Sequence, residues 1–164
     1  MPETSDVVLT VPAMDGQYHV RTYPGVIDAW PDTADGLLVG EENWIAVLCG
    51  TQFGPVSLRI QRYDSRPSEV AVGWEMGVEW SLEAPDGVLS VHDIYSNNEP
   101  TLVTVPSGWL RIRVSVRGRL RAAETPEPVT VAIEEHLLEI WPAADGEDTA
   151  VVSGPDEYAA LLLG

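Results

Sequence analysis

The stretch WLRIRVSVRGR, residues 109–119, alternates without a break: Leu110, Ile112, Val114 and Val116 are even, Arg111, Arg113, Ser115 and Arg117 odd. Successive side chains of an extended chain point to opposite faces, so this spells a half-buried strand with an apolar inner face and guanidinium groups toward solvent. A rise of about 3.3 Å per residue sets Arg111 and Arg113 roughly 6.6 Å apart on one side, as a ladder. Residues 111–121 hold five of the nine arginines in a chain without lysine and with a formal net charge of −17. Such a cluster raises the question of a phosphate or nucleic-acid partner. The neighbouring segments answer against it. VEWSLE (78–83) sets Val78, Trp80 and Leu82 against Glu79, Ser81 and Glu83, and Glu134, Glu135 and Glu139 follow the ladder. Opposite charges on neighbouring strands contribute about 0.2–1 kcal/mol per pair, and the carboxylates outnumber the arginines, so an internal salt-bridge lattice is expected here.

The same period-two pattern recurs outward from this strand, broken by turn residues every ten or so positions, which is the signature of an all-β protein. Val7, Leu9 and Val11 lead through Asp15-Gly16 into QYHVRTY, an expected N-terminal hairpin. PVSLRIQRY turns Val56, Leu58 and Ile60 inward. In PVTVAIEEHLLEIWPA the apolar parity changes near Glu134 and Glu135. Two strand pieces separated by a bulge account for this better than a helix, given the β-branched start and the Trp-Pro exit. SGPDEYAALLLG has the pattern of a short terminal helix. The expected fold is an antiparallel β-sandwich with a short C-terminal helix, one domain over residues 1–164.

Composition narrows the function classes. At 45% apolar with six tryptophans the chain folds, because disorder needs few large apolar groups. Its negative field repels nucleic acid and anionic membranes and attracts basic partners. Cys49, the only cysteine, lies in the apolar run WIAVLCG and reads as an inert buried thiol. Neither a leader nor a bilayer-crossing run is evident, so a cytoplasmic protein is expected. Phosphate-cradling loops, nucleophile elbows and His-Glu-x-x-His pairs are lacking. His19, His92 and His136 fall in different expected strands, and in VHDIYSNNEP (91–100) the Ser96-Asn97-Asn98 run reads as turn chemistry rather than as part of a cation loop with His92, Asp93 and Glu99. No catalytic residue, metal or cofactor is expected.

The order GWLRIRVSVRGR then EEHLLEIWPA, about residues 108–142, is similar to a group of small, uncharacterised bacterial β-sandwich proteins of actinobacterial type. That group distantly resembles the competence-locus inhibitor of a DNA-entry nuclease. The resemblance implies a non-catalytic domain, an inhibitor or immunity-type protein that covers a basic nuclease or toxin. It carries over no functional residue, because Trp109, Leu138, Ile140, Trp141 and Pro142 read as core and corner positions. From charge alone, Glu79, Glu83, Arg111, Arg113, Glu134 and Glu135 are the candidate partner-binding residues. The alternative is a small-molecule or carbohydrate-binding sandwich with Trp30, Trp44 and Trp74 as a stacking platform.

Overall fold

The long strand β1 (Glu3–Met14) pairs antiparallel with β5 (Phe53–Tyr63) along its whole length, from Glu3 opposite Tyr63 to Met14 opposite Phe53. The computed structural model describes residues 3–22, 32–95 and 98–164; Trp30 lies outside them. Asp15 and Gly16, both at positive φ (50° and 75°), turn the chain into β2 (Gln17–Arg21). This is the expected hairpin, but it opens at once: only Met14 and Gln17 pair. Beyond them β2 pairs with β4 (Trp44–Leu48) on one edge and β7 (Val88–His92) on the other. The short strands β3 (Leu38–Gly40) and β8 (Thr101–Thr104) extend β4 and β7 respectively.

The opening stretch is β9 (Gly108–Arg117), at the middle of the other half. It lies between β6 (Met76–Ala84) and β10 (Glu135–Pro142), antiparallel to both, and β11 (Ala150–Ser153) borders β6. β10 then pairs with β5 in parallel. The expected antiparallel sandwich is therefore corrected to a mixed sheet curled into a half-barrel. The physical reason lies in the connection. A parallel pair cannot be closed by a hairpin; here the whole run from β6 to β9 separates β5 from β10, and α1 (Arg119–Ala123) with the extended segment after it returns the chain from β9 to β10. Val129 in that segment donates its N–H to Phe53 O at 3.0 Å but forms no strand, so only the second of the two expected pieces is one. Curling brings the far ends of the sheet together. The Glu83 N–H of β6 donates to Glu42 O at 2.6 Å and Trp80 Nε1–H to Glu41 O at 2.9 Å, joining β6 to the β3–β4 turn.

Inside the curl, Val56, Leu58 and Ile60 meet Leu110, Ile112, Val114, Val116, Leu138 and Ile140, all 1% exposed or less. Each such side chain contributes about 1.5–3 kcal/mol by leaving water. α2 (Glu157–Leu163) is the expected terminal helix; Asp156 caps it, its Oδ1 accepting from Ala159 N–H at 2.8 Å.

Candidate functional site

The outer face of β9 departs most from expectation. Arg111 and Arg113 are 3% and 1% exposed, not solvent-facing. Two loops cover them. Residues 64–75 cross from one side: Arg66 forms a bidentate pair with Glu79 at 2.8 and 2.7 Å, and Glu69 O accepts from Arg113 Nη1 at 3.3 Å. Residues 143–149 cross from the other, where Glu147 O and Asp148 O accept from Arg111 at 3.2 and 2.6 Å. Beneath them, strand register sets Arg113 between Glu79 on β6 and Glu139 on β10, with contacts of 3.0 and 3.2 Å. Trp141 lies under both Arg66 and Arg113, each 5.3 Å from its ring centroid.

Burial works against ionisation of both carboxyls, with opposite outcomes. Hydrogen bonds from Arg66 and Arg113 hold Glu79 below the usual carboxylate range, whereas Glu139, with its weaker share of Arg113, is pushed up. The charge lattice is internal and spends its arginines on its own glutamates.

A second cluster lies within the core. Glu134 and His136 share the inward face, and their side chains are wholly buried. His136 Nε2 contacts Glu134 Oε2 at 2.6 Å, His136 Nδ1 contacts Tyr18 Oη at 2.8 Å, and Thr51 N–H donates to Glu134 Oε1 at 2.6 Å. Burial would raise the Glu134 carboxyl, but the His136 and Thr51 bonds bring it below its ordinary value. Burial, aided by Glu134, pushes the neighbouring Cys49 thiol well up. Alongside, Arg119 is fully buried and bonds Asp156 at 2.9 and 2.7 Å.

A third cluster forms where β2 meets β7. His19 and His92 stand opposite in register, their ring centroids 6.4 Å apart, and Arg21 Nη2 donates to His19 Nδ1 at 2.9 Å. Burial, then the charges of Arg21 and His92, lower the His19 pKa to about 3; burial also lowers His92. From near 6.5 down to about 3 the unfolded chain therefore binds protons that the folded one refuses at His19, so stability must fall as pH falls through this range. Urea midpoints are expected to drop steadily from pH 7 to about pH 4.5. His19→Gln should flatten that slope, while equal slopes would show that His19 is not the group responsible.

The candidate residues are thus divided. Glu79, Arg111, Arg113 and Glu134 are enclosed and cannot present a face to a partner. Glu83 is half-buried, and Glu135 is exposed in a surface pair with Arg117 at 3.0 Å. Trp44 is 3% exposed, packed against His19 at 5.7 Å, which removes it from any stacking platform. Trp74 is half-buried, and the Arg117 guanidinium lies 4.4 Å over its ring. Asp93 accepts from Tyr95 N–H at 3.0 Å and Asn98 N–H at 3.1 Å, while Ser96 and Asn97 of the expected turn lie outside the described residues.

One group of surface carboxylates lies where the curled sheet meets itself. The bonds from Glu83 N–H to Glu42 O and from Glu147 N–H to Ser81 Oγ (3.0 Å) bring three segments together. Exposed Glu41, Glu42, Glu147 and Asp148 thereby flank half-buried Glu83. Trp109, opposite Glu83 in register, packs under Gly146 and supports the 143–149 loop, since a Cβ at Gly146 would lie 3.1 Å from its ring. Of this rim only Glu83 is among the candidate partner-binding residues; the Glu41-Glu42 pair reads from sequence as a solvated face or part of a surface complementary to something basic, and Glu147 and Asp148 occupy a loop that reads as solvated.

A β-rich half-barrel with an acidic seam is the class of protein so defined. No family model and no curated protein matches the sequence. Among solved structures the chain is similar to ComJ of Bacillus subtilis, inhibitor of the DNA degrading activity of NucA, with a TM-score of 0.61 and 14% identity over 87% of this chain and 100% of that one. It is also similar to the crocagin biosynthetic gene J protein, with a TM-score of 0.56 and 14% identity over 87% and 99% of the two chains. These likenesses concern the fold.

Proposed function

We propose that this chain is a non-catalytic protein-binding domain that docks through its acidic seam on a basic partner, in the manner of a nuclease inhibitor. The observation that carries the reading is the fate of the charges. Burial withdraws Arg111, Arg113 and Arg119 into internal pairs, while Glu41, Glu42, Glu83, Glu147 and Asp148 stay at one junction of the sheet. The fold shared with ComJ, an inhibitor of a DNA-degrading enzyme, supports a nuclease as the partner class. Glu135, at the opposite end of the strands from that junction, is a secondary contact residue.

Inhibition of DNA degradation tests this, with NucA as the probe. The wild-type chain is expected to slow plasmid degradation less as salt rises. A variant carrying Glu41→Gln, Glu42→Gln, Glu83→Gln, Glu147→Gln and Asp148→Asn should be weakened at least about tenfold, because complementary charge accelerates encounter by that much or more. Absence of inhibition, or equal inhibition by the variant, would count against the seam as the docking face.

A further inference from the structure

We infer that Cys49, Glu134 and His136 form an enclosed three-ligand site for a borderline divalent cation such as zinc. Their ligand atoms, a thiol sulfur, a carboxylate oxygen and a ring nitrogen, all lie within 4.8 Å of one another. This is the mixed sulfur, nitrogen and oxygen donor set that zinc accepts. The outer atoms are already anchored. Tyr18 Oη holds His136 Nδ1 at 2.8 Å and Thr51 N–H holds Glu134 Oε1 at 2.6 Å, leaving Nε2 and Oε2 turned to each other beside the thiol. Metal-bound imidazoles are oriented by such partners on the remote nitrogen.

Charge points the same way. Glu79 and Glu139 each contact an arginine, but among the described residues Glu134, equally deep, is paired with no guanidinium and takes its bonds from His136 and Thr51. Arg119, the nearby guanidinium, is engaged by Asp156. On binding, the Cys49 thiol proton would leave, and the proton between His136 Nε2 and Glu134 Oε2 would give way to the ion and pass to Nδ1, which would donate it to Tyr18 Oη. Thiolate and carboxylate together then balance the two positive charges. The ion would tie the end of β4 to the start of β10, leaving the acidic seam untouched.

Cobalt provides the probe. The full-length chain, unfolded with reductant and refolded with Co²⁺, is expected to bind one equivalent with an intense thiolate-to-metal absorption in the near ultraviolet, displaced by Zn²⁺. Cys49→Ser should abolish that band, and Tyr18→Phe, which keeps the ring in the core, should weaken binding by about 10–100-fold. A wild-type titration without the band overturns the site whether or not the variants fold. So does a band that survives Cys49→Ser, or affinity unchanged by Tyr18→Phe.

Discussion

Arg113→Ala is expected to lower the free energy of unfolding by about 3–5 kcal/mol, the usual cost of removing one member of a buried charge network. The size follows from what the guanidinium leaves behind. Arg113 is 1% exposed and satisfies Glu79 at 3.0 Å and Glu139 at 3.2 Å. Without it, two carboxyls share an enclosed site, Glu79 keeping Arg66 and Arg111, and Glu139 keeping no guanidinium contact among the described residues. Glu139, whose pKa is already raised, would respond by holding a proton to still higher pH. Its folded pKa then lies further above the unfolded value, so the variant should recover stability as pH is lowered from 7 toward 5. Arg117→Ala is the control. Its pair with Glu135 has side chains 40% and 52% exposed, and about 0–1 kcal/mol is expected. Guanidinium chloride unfolding of the two variants separates these outcomes, and a loss below about 1 kcal/mol for Arg113→Ala would mean the lattice contributes little.

The second large effect is expected from a single methyl group. Gly50 follows Cys49 at the end of β4, and a Cβ built there would lie 1.8 Å from Arg119 O and 2.6 Å from Arg119 C. Both are backbone atoms, so no side-chain rotation relieves the collision. Arg119 itself is pinned: Gly36 O and Leu48 O accept from its Nη1 at 2.9 and 3.0 Å, and Asp156 takes the rest of the fork. Overpacking a filled core costs about 1–3 kcal/mol, and contact with fixed backbone belongs at or above the upper end. Gly50→Ala should therefore lose about 3 kcal/mol or more. It should also disturb Thr51 N–H, which holds Glu134. Thermal melts measure this, and a variant as stable as wild type would show that α1 can move away from the sheet.

Much of the fold was readable from residues 110–117. Their alternation sets which side chains share a face, and Leu110, Ile112, Val114 and Val116 do line the core. Alternation is silent on whether the opposite face meets water. That depends on the loops 64–75 and 143–149, whose polar residues look solvated but whose backbone carbonyls accept from Arg111 and Arg113. The parallel pairing of β5 with β10 was hidden for a related reason: period two is the same in either direction, and the direction follows only from the path of the strands between them. Glu134 and His136 stand two residues apart on one face, but Cys49 lies in a distant segment, and nothing in the spacing announces that the curl brings it to them. The seam was equally out of sight, since Glu42 meets Glu83 only because the ends of the sheet close on each other.

The acidic seam is tested most directly by the rate at which the chain associates with NucA between about 0.05 and 0.3 M salt, where the Debye length shrinks past the reach of surface charge. A wild-type rate that falls steeply over this range, with a slow and nearly flat rate for the seam-neutralised variant, is the result expected. No association, or rates for the two chains that fall in parallel, would contradict it.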